Sequence, residues 1–153
     1  SYDALASALA HPLDLIDATM IQLLLERVEA FEPTVIGFSV PFPGNLYAAL
    51  RCGQSLGVSH PGLVRVLGGG YPTTELRSLR EPRVFDAVDY ICLDDGELPF
   101  TRLLERFDGA PSALRRTYFR GGGVVRYEEG SGKDVAHAIK PAPDYDGMPL
   151  ELY

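Results

Sequence analysis

Three short runs hold most of the residues able to meet a ligand: Ser39-Val40-Pro41-Phe42-Pro43-Gly44-Asn45, Gly68-Gly69-Gly70-Tyr71-Pro72 and Asp94-Asp95-Gly96-Glu97. Glycine lets a backbone approach a ligand closely, and free N–H groups at helix starts favour phosphate or carbonyl oxygens. The plainer reading of each run is a tight strand-to-helix turn. Gly68-Gly69-Gly70 matches neither the dinucleotide glycine pattern, because Pro72 intervenes, nor a Walker motif, which needs a lysine. Asp94, Asp95 and Glu97 have the types for magnesium binding or acid–base work. Their plainer role is to complement a helix dipole, with Asp95 as the N-cap.

The remaining reactive residues are dispersed. His11, His60 and His137 have no partner at metal-ligand spacing. Cys52 falls mid-helix and Cys92 mid-strand, so both read as inert core thiols rather than a disulfide or cluster framework. Phe42 and Tyr71 have the bulk to line a pocket, but packing is the commoner use of such rings. No Ser/His/Asp or Cys/His constellation emerges, so no catalytic residue is assigned.

The elements that must position these runs alternate in period. Tyr2–Ala10 is helix-compatible and is broken by His11-Pro12. Leu13–Ala18 reads as a strand, followed by a helix over Met20–Phe31 with Thr19 as N-cap. Thr34–Val40 is a near-continuous apolar run of the kind buried on both faces of a parallel sheet. A helix over Gly44–Leu56 closed by Gly57, a strand over Leu63–Leu67, and a short helix capped by Thr73 or Thr74 and running to Leu79 come next. Pro82 breaks the chain before a strand over Ala87–Leu93 and a helix over Gly96–Phe107 closed by Gly109. Arg116–Arg120 and Val124–Tyr127, joined by three glycines, form a hairpin. The alternation predicts an α/β fold: three layers, a doubly wound, mostly parallel Rossmann/flavodoxin-like sheet, and a C-terminal β-hairpin. Ligands of such sheets bind at the carboxyl ends of the strands, where all three runs fall.

Composition excludes several classes. The 153 residues fit one domain, and 46% hydrophobic with 23% charged residues suffices for an ordinary core. A formal charge of −7 argues against nucleic-acid or anionic-membrane partners. No apolar run reaches membrane-spanning length, and the first ten residues lack signal-peptide features. A cytoplasmic location is the expectation. The twelve arginines against Lys133 and Lys140 carry no recognition signal.

Taken in order, Ile36-Gly37-Phe38-Ser39, Leu67-Gly68-Gly69-Gly70, and Val88-Asp89-Tyr90 leading to Asp95-Gly96-Glu97 resemble the cobalamin-binding domain of radical S-adenosylmethionine family proteins. That family's signature is D-x-H-x-x-G, then S-x-L, then a Gly-Gly pair. Ser39 takes the serine position with Pro41 in place of leucine, Gly68-Gly69 take the pair, and 26 residues lie between. The resemblance spans roughly residues 13 to 107 and implies a cobalamin site built from Ser39, Val40, Pro41, Gly68, Gly69, Gly70, Tyr71, Asp94, Gly96 and Glu97. Ser39 would bond the nucleotide tail, and the glycines would leave room for its base and ribose. D-x-H-x-x-G is absent, which implies cobalamin without a protein histidine on cobalt. C-x-x-x-C-x-x-C is absent too, so the S-adenosylmethionine and 4Fe-4S cluster belong to a radical domain elsewhere in a parent chain.

On this reading residues 1–107 form the corrinoid domain without its first strand, which with D-x-H-x-x-G would by spacing fall just upstream of Ser1. Residues 108–140 form a hairpin extension. Residues 141–153 form an extended lead-in, anchored by Tyr145, Met148, Leu150 and Leu152, to the radical domain. The competing reading is a receiver- or flavodoxin-like regulatory module that binds no corrinoid. A free-standing enzyme ranks last.

Overall fold

The computed structural model describes residues 2–136 together with Tyr145, Asp146 and Met148. It is an α/β protein with a five-stranded mixed sheet whose spatial order follows the chain. The helices are α1 (Tyr2–Ala10), α2 (Leu15–Phe31), α3 (Gly44–Ser59), α4 (Gly70–Glu75) and α5 (Glu97–Phe107). The strands are β1 (Val35–Ser39), β2 (Val64–Gly68), β3 (Tyr90–Cys92), β4 (Thr117–Gly121) and β5 (Val124–Glu128). β1, β2 and β3 run parallel, with Val35 opposite Val64 and Val66 opposite Tyr90; β4 and β5 add antiparallel.

Side chains alternate across the sheet and build two apolar layers. Leu67, Ile91 and Tyr118 face α1, α3 and the 3-10 helix Pro82–Asp86, in a cluster with Leu50, Val84, Phe85 and Val88. On the opposite face Val66 and Cys92 meet Leu103 of α5 and Leu114. A third cluster, Val28, Leu56 and Leu63, seats α2 against α3 and against Ile36 and Phe38 of β1. Each fully buried leucine contributes on the order of 2 kcal/mol by leaving water.

The largest departure from the expected elements lies at residues 13–18, which are helical rather than extended. Asp14 accepts the Asp17 N–H at 2.8 Å as a true N-cap, so one helix of 17 residues runs through to Phe31. Thr19 sits inside that helix, its hydroxyl bonded to the Leu15 carbonyl. Asp17 is turned inward: its carboxylate lies 3.1 Å from the Arg51 guanidinium and accepts the Tyr47 hydroxyl at 2.8 Å. Arg51 also donates to the carbonyls of Ala8, Leu9 and His11, which close α1. The acids that break the apolar pattern therefore serve as cap and buried ion. With no strand there, order does not reverse among the described strands, unlike a doubly wound sheet.

Smaller shifts have local causes. α3 runs past Gly57 to Ser59, because Gly57 admits the Arg65 guanidinium; a Cβ there would lie 2.4 Å from its nitrogen. α4 starts at Gly70 instead of at a threonine cap. β3 keeps only Tyr90–Cys92 of the expected run, since Ala87–Asp89 form the turn that leaves the 3-10 helix Pro82–Asp86. The N-cap position of α5 falls on Gly96 rather than on Asp95. Tyr145 and Met148 are more than half exposed and do not anchor by burial; the rest of the expected lead-in lies largely outside the described residues. Among the described residues no single helix is long and apolar enough to cross a membrane.

The hairpin carries a titratable marker. The Tyr127 hydroxyl donates to Glu129 at 2.5 Å, and its ring centroid lies 4.5 Å from that of Tyr118. Burial of the phenol, then the bond to the carboxylate, push its pKa up to about 12. Folding thus favours the neutral phenol. This contribution is full below the ordinary tyrosine value of about 10 and is lost as pH rises through about 12. In an alkaline absorbance titration, Tyr127→Phe is expected to delete the last-ionising tyrosine; a curve that loses only an ordinary one would remove the assignment.

Candidate functional site

The three runs converge at the carboxyl ends of β1, β2 and β3. After β2 the backbone turns at Gly69, with φ +107° and ψ −173°, a conformation open essentially to glycine alone. A Cβ on Gly69 would stand 2.8 Å from both the N and O of Val40. The first two loops are stitched together at that contact. The Val40 N–H donates to the Gly68 carbonyl at 2.8 Å, and the Tyr71 N–H to the Val40 carbonyl at 3.0 Å.

Asp94 ties in the third loop. It has φ +61°, its N–H donates to the Thr73 hydroxyl at 2.9 Å, and its carboxylate pairs with Arg77. Arg116 approaches the same carboxylate at 3.4 Å, while the Arg116 carbonyl accepts the Leu93 N–H at 3.0 Å. A side chain held between two guanidiniums is a strut. Among the described residues no group of three His, Cys, Asp or Glu is placed to hold a metal ion. Arg77 and Arg116 carry no motif, and only the folded chain brings them to Asp94.

Beneath the loops lies a mainly apolar cleft of about 470 Å³ between the sheet and α5. Its floor is Gly37, Ser39, Val66, Gly68 and Cys92, its rim Gly69, Asp94, Gly96 and Glu97, and its outer wall Phe100. Six of the ten expected site residues line it: Ser39, Gly68, Gly69, Asp94, Gly96 and Glu97. Gly70 belongs to a neighbouring cleft of about 480 Å³ with Thr73 and Thr74. Val40 is fully buried and Tyr71 rests on the core beside it, so both are packing residues; Pro41 is exposed beside Gly70.

Gly37, Val66, Cys92 and Phe100 were not foreseen as lining residues. The legible clue was Gly37, an isolated glycine inside an apolar strand, which marks a close approach. A Cβ on Gly37 would meet nothing within 4 Å, and one on Gly68 only the Cys92 carbonyl at 3.5 Å. The floor is therefore bare backbone, able to take a flat group against it. The Cys92 thiol is no nucleophile: burial pushes its pKa up, against a smaller lowering by the Thr117 hydroxyl. His60 caps the far end of α3, before β2, and His11 follows α1; neither lines the cleft. His137 lies outside the described residues.

No protein-family model matches the chain, and a search of curated proteins finds no match.

Proposed function

We propose that this chain is a cobalamin-binding domain of Rossmann- or flavodoxin-like type, non-catalytic by itself, that serves a radical S-adenosylmethionine domain of the same parent protein. The carrying observation is the convergence of Ser39, Gly68-Gly69 and the Asp94–Glu97 loop on one apolar cleft with a glycine floor. Its volume falls in the range of roughly 300–1,000 Å³ usual for organic ligands. The residues fit the tail of a corrinoid. Gly37 and Gly68 leave a flat floor for an aromatic base, Phe100 offers a facing ring, and the Ser39 hydroxyl stands at the strand end to bond the sugar or phosphate. Bound cobalamin would supply an organocobalt centre, and this chain's part is to seat and orient the tail. Neither His11 nor His60 is placed to ligate cobalt, so the proposal is of binding without a protein histidine.

The test is incubation with hydroxocobalamin followed by gel filtration, with visible absorbance read on the protein peak. Co-migration of the corrinoid is expected. Its complete separation from the protein overturns the reading, and retention of flavin mononucleotide instead transfers the cleft to a flavodoxin-like role. Gly68→Val places a branched side chain on the cleft floor, its Cβ in ordinary contact with the Cys92 carbonyl at 3.5 Å. Corrinoid affinity is expected to fall at least tenfold while the thermal midpoint moves little; unchanged affinity moves the ligand off this floor.

A further inference from the structure

The two edges of the sheet differ in kind. β5 ends the sheet with Arg126 and Glu128, charges that discourage further pairing. Among the described residues β1, Val35-Ile36-Gly37-Phe38-Ser39, forms the other edge, with no charge, proline or bulge. The Val64 N–H donates to the Thr34 carbonyl and the Val40 N–H to the Gly68 carbonyl. Backbone alternation therefore points Thr34, Ile36, Phe38 and Val40 toward β2. The N–H and C=O groups of Val35, Gly37 and Ser39 point away from the sheet. Three outward residues centred on Gly37 form a self-complementary row. An antiparallel copy sets Gly37 opposite Gly37 and Val35 opposite Ser39, and every outward group finds a partner.

A second surface, uncovered among the described residues, adjoins this edge. α2, whose buried side rests on Ile36 and Phe38, leaves Leu15 83%, Ile16 77%, Leu23 58% and Phe31 75% exposed. Leu15, Ile16, Met20 and Leu23 line one apolar groove. At about 100 Å² per large apolar side chain, the exposed parts of Leu15, Ile16, Leu23 and Phe31 offer roughly 300 Å² per protomer. Doubled across a two-fold this is about 600 Å² of apolar surface, and the paired strand edges add to it toward the ~1,000 Å² of a specific interface.

We propose that β1 and α2 form a homodimer interface: β1 pairs antiparallel with β1 of a second copy about a two-fold through Gly37, and the two α2 grooves meet above it. One symmetric contact then covers both bare surfaces and joins the two sheets into one. A two-fold interface is closed, so the assembly stops at two copies.

Sedimentation velocity across a concentration series is the primary test, with a dimer expected. Ile16→Glu and Leu23→Glu alter exposed positions only, so they are expected to yield monomers with an unchanged circular-dichroism spectrum. Gly37→Cys tests the register, because a Cβ there meets nothing and the paired Cα atoms would stand about 5.5 Å apart, within disulfide reach. Mild oxidation should link Gly37→Cys chains and leave Ser39→Cys chains unlinked; native Cys52 and Cys92 are buried. A wild-type monomer at every concentration overturns the proposal. So does a dimer that survives both glutamate variants, or one that crosslinks through Ser39→Cys but not Gly37→Cys.

Discussion

Replacing Arg51 with methionine should cost about 3–5 kcal/mol of folding stability, the loss that follows when one member of a buried ion pair is removed. Arg51 and Asp17 have side-chain exposures of 5% and 6%, so little water can replace the missing partner. The guanidinium also answers three carbonyls around the end of α1, at 2.7 Å to Leu9, 3.1 Å to Ala8 and 3.2 Å to His11. Carbonyls at a helix end are otherwise orphaned, and a cation there complements the helix dipole. Methionine keeps the bulk and removes every one of those bonds. Urea unfolding reads the effect as a lower midpoint at constant slope. Asp17→Asn in the same background should recover part of the loss, because it deletes the stranded charge while keeping the group that accepts from Tyr47. A loss below about 1 kcal/mol for Arg51→Met would mean that α1 and α2 are held by their apolar contacts alone.

Gly69→Ala should be nearly as damaging, and its damage should reach the cleft. The φ of +107° with extended ψ strains any L-residue, at a cost of order 1–3 kcal/mol. The added carbon also meets Val40 backbone at 2.8 Å, where no side chain can rotate away. Relief requires the first two loops to part, which breaks the bond from the Tyr71 N–H to the Val40 carbonyl. The total expected loss is about 3 kcal/mol or more, with corrinoid retention abolished. Gly68→Val is the informative contrast, since it should weaken binding and leave folding intact. Equal stability of Gly69→Ala and wild type would show that the turn relaxes without resistance.

The contrast between residues 13–18 and 34–40 shows what the sequence made legible. Thr34–Val40 is apolar at nearly every position and flanked by prolines, and it does form a strand. That strand lies at the sheet edge and is only part-buried rather than covered on both faces, because no described strand lies beyond it. Leu13–Ala18 reads as a strand by its apolar residues, but Asp14 and Asp17 stand three apart, a spacing that puts them on opposite faces of a strand and near one another on a helix. Asp17 finds Arg51, a partner supplied by another helix and announced by no local pattern. The site divides along the same line. Loops rich in glycine mark where backbone must come close, and Ser39, Gly68 and Gly69 were found that way. Phe100 reads as one more apolar residue of an amphipathic helix until α5 lies across the sheet. Tyr71 misled for the converse reason: beside glycines it resembles a pocket ring, yet its backbone bond to Val40 holds it at the core.

The strand order bears on synthesis. Every strand pairs with the one made just before it, from Val35 against Val64 through to Thr117 against Glu128. Once β1 is made, each later strand leaving the ribosome therefore finds a neighbour already translated and docks on an edge already present. The helices keep the same schedule, since α1 and α2 are complete before Arg51 emerges to clasp them. At translation rates of about 5–20 residues per second, seconds separate one docking from the next, far longer than a hairpin or helix needs to form. The charged β5 arrives last. The uncharged edge of β1 has by then been open longer than any other, so partner chains emerging on one messenger would meet there first.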